Sequence, residues 1–188
     1  MYIHPKYPLL FSPLKVNRTM LPNRIIYAPV EYYYDRALAG AAIMMRGTSG
    51  TLQDPKCRIK PGKWLFAESE LPRVKKELSE IKRGGSLASL EVMHAGLCAE
   101  VEKGDYVIGP SEGISPKGYK IVAMTTNMME DMLCDFANTC KIAKRIGYDM
   151  ITVHFAHGWI ASQFFLRNII KEQMNLVVVM KTEFVFQK

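Results

Sequence analysis

The chain has 188 residues, of which 48% are hydrophobic and 23% are charged, and its formal net charge is +7. This balance is typical of a one-domain globular protein and excludes a disordered or fibrous chain. No apolar run approaches the roughly 18 residues of a membrane helix, and the N-terminal stretch MYIHPKYPLLF lacks a signal-peptide pattern. We therefore expect a cytoplasmic protein without a membrane partner.

Charge distribution and cysteine spacing narrow the classes of partner. Lysine and arginine are scattered among acidic residues, as in RVKKELSEIKR, which is typical of a solvated helix face and predicts no nucleic-acid partner. An anionic cofactor or substrate suits the same basic balance. The four cysteines form no CxxC pair, so reduced thiols are favoured over disulfides, and a structural zinc or iron-sulfur site lacks a ligand set.

Apolar segments of strand character alternate with segments of helical spacing along the chain. The strand-like segments are NRIIYAPV (23–30), AGAAIMMRGTSG (39–50), SLASLEVMHAG (86–96) and YDMITVHFAHG (148–158). Helical spacing is seen in ELPRVKKELSEIKRGG (70–85) and in 125–149, where Met129, Leu133, Phe136, Cys140 and Ala143 form one stripe. This alternation predicts βαβ units and a parallel sheet of about four strands.

Three of the four histidines follow predicted strands. His94, His154 and His157 should therefore lie at the carboxyl ends of parallel strands, where α/β proteins bind ligands. The sequence contains no HExxH zinc motif, no GxGxxG after the first strand and no GxSxG nucleophile elbow. Chemistry alone leaves open a zinc site, a purely structural role, and a donor pair that binds a carbonyl or anionic oxygen.

Four stretches, in this order, carry a resemblance to a known family. LLFSPLKVNRTMLPNRIIYAPV, LEVMHAGLCAE, YVIGPSEGI and DFANTCKIAKRIGYDMITVHFAHGWIASQFF resemble the Old Yellow Enzyme family, in particular its bacterial branch of NADH:flavin oxidoreductases, 2-enoate reductases and bile-acid-inducible reductases. The resemblance covers about Leu9 to Phe165. It implies a TIM (β/α)8 barrel that holds FMN, takes hydride from NADH or NADPH and passes it to the activated C=C bond of a small unsaturated carbonyl substrate.

The resemblance also implies roles for individual residues. His154 and His157 fall on the pair that binds the activating oxygen of the substrate, and Trp159 stands where many members have a tyrosine near the substrate. Ala28 and Pro29 fall on the segment beside the flavin. The implied site contains no metal.

Three departures from the family pattern bear on flavin binding. Glu91 stands where many relatives have a glutamine that bonds a donor and an acceptor of the flavin, whereas a carboxylate can only accept. Leu97 stands where many have arginine. After APV, a loop that usually carries further flavin and substrate contacts is missing.

The size of the matching region predicts an N-terminal half-barrel of about four parallel strands. A complete barrel typically has about 250 residues, and its phosphate site is commonly built after strands seven and eight. We therefore expect a partial FMN-binding barrel at 1–165 and an aberrant tail at 166–188. Two functions stay open: an FMN-dependent NAD(P)H oxidoreductase impaired by truncation, or a non-catalytic remnant that self-associates without flavin.

A frameshift in the gene would explain the tail, and this hypothesis can be tested. Codons for RNIIKEQMNLVVVMKTEFVFQK can be chosen so that a shifted frame spells a loop similar to the family's NKRTDEYGGSLENR, and glutamate is forced at the Met174-Asn175 and Met180-Lys181 junctions because methionine has one codon. We expect the nucleotide sequence near codon 166 to encode that loop out of frame, followed by the remaining barrel. A shifted frame without that loop would refute the frameshift.

Overall fold

The protein is described here by a computed structural model, which covers residues 5–29, 33–47, 52–58 and 63–165. The strands are β1 Leu14–Val16, β2 Thr19–Leu21, β3 Ile26–Tyr27, β4 Ile43–Arg46, β5 Leu87–Val92, β6 Tyr106–Gly109, β7 Gly113–Ile114, β8 Lys120–Ala123 and β9 Met150–Val153. The helices are α1 Tyr33–Leu38, α2 Leu71–Arg83, α3 Thr126–Ile146 and α4 Ile160–Gln163, with 3-10 turns at Pro55–Cys57 and Gly96–Cys98. The predicted tail, 166–188, lies outside the described residues.

The central feature is a four-stranded parallel sheet in the order β3-β4-β5-β9. These strands are the four apolar segments that the sequence predicts, and α1, α2 and α3 lie between them along the chain. Parallel strands that neighbour each other in chain order and are joined by helices form the repeating unit of a β/α barrel. The prediction of about four parallel barrel strands is confirmed.

Side chains of β5 and β9 alternate between two faces of this sheet. Ala88, Leu90 and Val92 pack with residues of α2 in the main hydrophobic cluster, and Ile151 of β9 packs against the same cluster. Because successive residues of a strand point to opposite faces, Ser89 and the other intervening residues face the barrel interior. Because the apolar side chains of β5 and β9 are buried on the helix side, the polar side chains lie on the inner face.

An antiparallel hairpin of β1 and β2 covers the lower end of the inner face. Leu21 is buried with Ala42 and Ile43, and Leu14, Val16, Leu87 and Met150 pack around them. This cluster lies at the amino ends of β4, β5 and β9. The apolar floor leaves the opposite, carboxyl ends of the strands as the open mouth.

A second sheet interrupts the barrel between β5 and α3. In it β8 pairs parallel with β6 and antiparallel with β7. Ile108 and Met124 of this extension pack against Met129 and Met132 at the start of α3. Leu133, which the sequence places on the buried stripe of α3, is 41% exposed because the first half of the helix contacts this extension instead.

Both long helices end at glycines that close their last turns. Gly147 has a φ of 108°, and its N–H and that of Tyr148 bond back to the carbonyl oxygen of Ala143. Such a left-handed cap suits glycine, and it turns the chain directly into β9. None of the helices in the described ranges is long and apolar enough to cross a lipid bilayer.

A buried ion pair links the sheet to α2. Arg46 at the end of β4 is 3% exposed, and its Nε lies 2.5 Å from Oε2 of Glu77. Glu77 also bonds Arg73 on the exposed side of the helix. Removal of the carboxylate would leave the Arg46 charge buried without its partner, which is much more costly than loss of an exposed pair.

We expect Glu77→Ala to lower the free energy of unfolding by about 3 kcal/mol, the lower end of the range for broken buried pairs. Glu80→Ala is the matched control, because Glu80 lies 4.0 Å from the highly exposed Lys76 and contributes about 0.5 kcal/mol or less. Urea unfolding monitored by tryptophan fluorescence measures both. Equal losses in the two variants would show that the Arg46 pair is not special.

Candidate functional site at the mouth of the half-barrel

Two polar side chains, those of Glu91 and His154, lie close together at the carboxyl ends of β5 and β9. Below them, Ser89 Oγ and Thr152 Oγ1 lie 2.8 Å apart. One level higher, Glu91 Oε1 lies 4.0 Å from His154 Nε2, and both side chains are nearly enclosed. The predicted flavin residue and the predicted substrate residue are therefore neighbours at the mouth.

His154 and His157 form a contacting pair. His154 Nε2 lies 3.1 Å from His157 Nδ1, and the two rings pack edge to face. The N–H of Ala156 donates to His154 Nδ1, which assigns the proton of a neutral His154 to Nε2. That proton points towards His157 Nδ1. An incoming oxygen can accept it, and a second N–H reaches the same oxygen when His157 carries its proton on Nδ1.

Trp159 supports this pair from the side. Its ring lies edge to face with His154 at a centroid distance of 5.9 Å, and it packs against the cluster around Ala95 and Val107. The indole Nε1 is buried and has no hydrogen-bond acceptor within the described residues. The ring therefore limits the movement of His154, and its N–H is not presented at the surface of the site.

Pro29 and Gly47 pack closely beside Glu91. Ala28 and Pro29 follow β3 and are exposed, and Gly47 follows β4. A Cβ at Gly47 would collide with the Pro29 ring and would lie 2.8 Å from Glu91 Oε2. The Glu91 carboxylate can accept the pyrimidine N–H of a flavin ring. The described residues thus fit the ring of FMN, although Glu91 offers no donor to a ring carbonyl.

His94 is not part of the mouth, contrary to the grouping of three histidines on one face. It is 1% exposed, and its Nδ1 accepts from the N–H of Gly96. Burial lowers the pKa of its imidazole to about 4, which keeps the ring neutral. It lines a separate cavity of about 130 Å³ together with Met124 and Met128. The strand-end pattern alone could not show that this side chain turns away from the mouth.

Two further residues shape the site and were not singled out from the sequence. Gly47 packs against Pro29, and Gln163 is a fully buried amide that contacts the loop carrying His157. The available signal for Gln163 was its position, next to Ser162, in the largely apolar run IASQFF. Within the described ranges, no group of three or more His, Cys, Asp or Glu side chains is arranged to hold a metal ion.

Comparison with known proteins gives two kinds of relative. The chain is 26% identical to a 4,4'-dithiodibutanoate disulfide reductase of Rhodococcus erythropolis, over 87% of this chain and 44% of that protein. It is 27% identical to an NADPH dehydrogenase of Listeria monocytogenes, over 82% of this chain and 50% of that protein. The chain thus spans about half the length of these curated relatives.

Solved structures show the same fold. Morphinone reductase in complex with tetrahydroNAD aligns over 90% of this chain and 55% of its own, with a TM-score of 0.77 and 19% identity. Old Yellow Enzyme from Pichia sp. aligns over 89% and 51%, with a TM-score of 0.74 and 23% identity. The family model of NADH:flavin oxidoreductases and NADH oxidases matches residues 9–173. The chain therefore belongs to the NADH:flavin oxidoreductase / NADH oxidase family.

Proposed function

We propose that the chain supplies the substrate-binding half of an FMN-dependent NAD(P)H oxidoreductase that reduces an activated C=C bond of a small unsaturated carbonyl compound. One observation carries this proposal: His154 Nε2 and His157 Nδ1 converge to 3.1 Å at the mouth, beside Glu91. Family membership supports the reaction class. FMN, when bound, supplies the hydride that it has received from NADH or NADPH.

The residues of the mouth divide the remaining work. Ala28, Pro29 and Gly47 lie beside the ring, and the Glu91 carboxylate accepts a ring N–H. His154 and His157 bind the carbonyl oxygen of the substrate. Two donors on this oxygen stabilise the negative charge that develops as the β-carbon accepts hydride. Trp159 holds His154 in place for this contact.

The histidine pair can be tested by substitution in the purified chain loaded with FMN. We expect His154→Ala with His157→Ala to lower kcat/KM for cyclohex-2-enone on the order of 100-fold or more, because oxyanion donors contribute at least that much each. FMN binding, followed by flavin fluorescence, should stay within a few-fold. NADPH oxidation with and without the enone measures the reaction.

Asparagine at the same two positions is the matched control. An asparagine amide keeps an N–H donor, so the Asn pair should retain more activity than the Ala pair. Equal activity of wild type and the Ala pair would refute the proposed roles. A wild-type chain that neither binds FMN nor oxidises NADPH would refute the enzymatic function for this chain.

A second candidate function is self-association of a half-barrel that binds no flavin, and the sheet edges favour it. Within the described residues, β3 and β9 each have one unpaired edge. Ile26 on β3 is 56% exposed, and Val153 and Phe155 at the end of β9 are each 45% exposed. Unpaired parallel edges with apolar side chains are prone to pair with another chain. Two copies about a common axis would place β9 of one beside β3 of the other, as in a closed barrel.

Light scattering coupled to size exclusion tests this association. We expect the wild-type chain to run as a dimer and Val153→Lys to run as a monomer, because a lysine on β9 places a charge in the joint. Leu9→Lys is the control, since Leu9 is 70% exposed but lies in the N-terminal segment outside the sheet. A monomeric wild type, or a dimer that persists in Val153→Lys, would refute this joint.

An out-of-frame origin of 166–188 is proposed from the sequence alone, and the nucleotide test decides it. A cytoplasmic location likewise stays a sequence-based prediction.

A further inference from the structure

We infer that Gln163 is a positioning residue that holds the backbone of His157 and Gly158 so that the two histidines meet. Gln163 is 1% exposed at the end of α4. Its Nε2 donates to the carbonyl oxygen of Gly158 at 2.6 Å and to that of Ala95 at 3.3 Å. Its Oε1 accepts from the N–H of Leu97 at 3.2 Å. One side chain therefore ties the loop after β9 to the loop after β5.

The neighbouring backbone is shaped around this amide. Gly96 has a φ of 56°, and a Cβ at that position would collide with the Gln163 amide. Cys98 Sγ donates a second, longer bond of 3.4 Å to the same Gly158 oxygen. The N–H of Ile160 donates to the carbonyl oxygen of His94 at 3.0 Å. These contacts all join the same two loops, and the 2.6 Å bond of Gln163 is the shortest of them.

The loop needs such support because His157 has an unfavourable backbone. Its φ is 55°, in the left-handed region that residues other than glycine adopt uncommonly, although asparagine, aspartate and histidine enter it more often than the others. Such conformations persist only where surrounding contacts hold them. The next residue, Gly158, has a φ of 75° and carries the oxygen that Gln163 binds. Without that bond, the turn at His157 is held only by the longer Cys98 contact and by the N–H of Trp159, which donates to the carbonyl oxygen of Ala156 at 3.2 Å, and we expect the turn to loosen.

The two histidines depend on different supports. The backbone of His154 continues the ladder of β9, with its N–H bonded to the carbonyl oxygen of Val92 at 3.0 Å. His157 has no such ladder bond within the described residues, and its ring position follows from the loop. A relaxed loop would separate the rings and remove one donor from the pair. The expected consequence for substrate binding rests on the proposed function, whereas the consequence for the rings does not.

The full-length chain without cofactor can test this by long-range ¹H–¹⁵N NMR of the imidazoles. In wild type, we expect His157 to show an unprotonated Nδ1 that accepts from His154. In Gln163→Met, which keeps the shape but removes all three hydrogen bonds, we expect averaged His157 nitrogen shifts. Unchanged His157 shifts in a folded Gln163→Met variant would overturn the inference.

A control and a second variant separate positioning from general stability. Ser86→Ala removes a buried hydrogen bond of 2.6 Å to the carbonyl oxygen of Ala41, far from the mouth, and should leave the His157 shifts as in wild type. Altered His157 shifts in Ser86→Ala would overturn a specific role for Gln163. Should Gln163→Met fail to fold, Gln163→Glu carries the same test, because it keeps the length and the Leu97 contact but cannot donate to Gly158 when ionised.

A kinetic comparison in the FMN-loaded chain distinguishes this inference from the proposed function. A displaced donor should lower kcat/KM for cyclohex-2-enone on the order of 100-fold in Gln163→Met, with FMN affinity within a few-fold of wild type. An inactive wild type with the NMR result intact refutes the proposed function and leaves the positioning role standing. Full activity in Gln163→Met would overturn the positioning role.

Discussion

The hydroxyl groups of Ser89 and Thr152 contact each other across two neighbouring parallel strands, and the register of these strands sets the position of the residues at the mouth. The contact lies on the inner face because Ala88, Leu90 and Ile151 are taken up by the helix-side core. With a side-chain period of two, Glu91 and His154 must then lie on the same inner face, one step nearer the mouth. A slip of β9 by one residue would turn Thr152 and His154 away from the inner face and separate His154 from Glu91. The site therefore inherits its position from apolar packing on the other side of the sheet.

The mouth combines a regular support with an irregular one. Glu91 and His154 are carried by strands whose ladder bonds set their direction, whereas His157 is carried by a loop in left-handed conformation. Loops can aim side chains that strands cannot, but only when buried contacts hold them. Here the holding contacts reach back to the loop that follows β5. The arrangement of His154 and His157 therefore depends on two strand-loop segments, β5 with its loop and β9 with its loop.

The number of described strands also explains why the mouth is open on one side. Four parallel strands cover part of a barrel wall, and the relatives that the chain resembles are about twice as long. Gly47 and Glu91 lie on or beside β4 and β5, whereas barrels of this class commonly bind phosphate after strands seven and eight. The same openness exposes Ile26 and Val153 at the two edges. The open mouth and the unpaired edges thus have the same origin, because four parallel strands form only part of a barrel wall.

The sequence by itself determined the elements and the family. Apolar runs followed by Pro, Gly or His indicated the four parallel strands, helical spacing indicated α2 and α3, and the order of the motifs indicated the family, because these signals are local in the chain. The tertiary structure decided what depends on distant residues. It buried His94 away from the mouth, exposed Leu133 against expectation, set Glu91 beside His154, and joined Gln163 to Ala95 and Leu97. Such pairings join residues that are far apart in sequence, and only packing of the strands and loops specifies which of them meet.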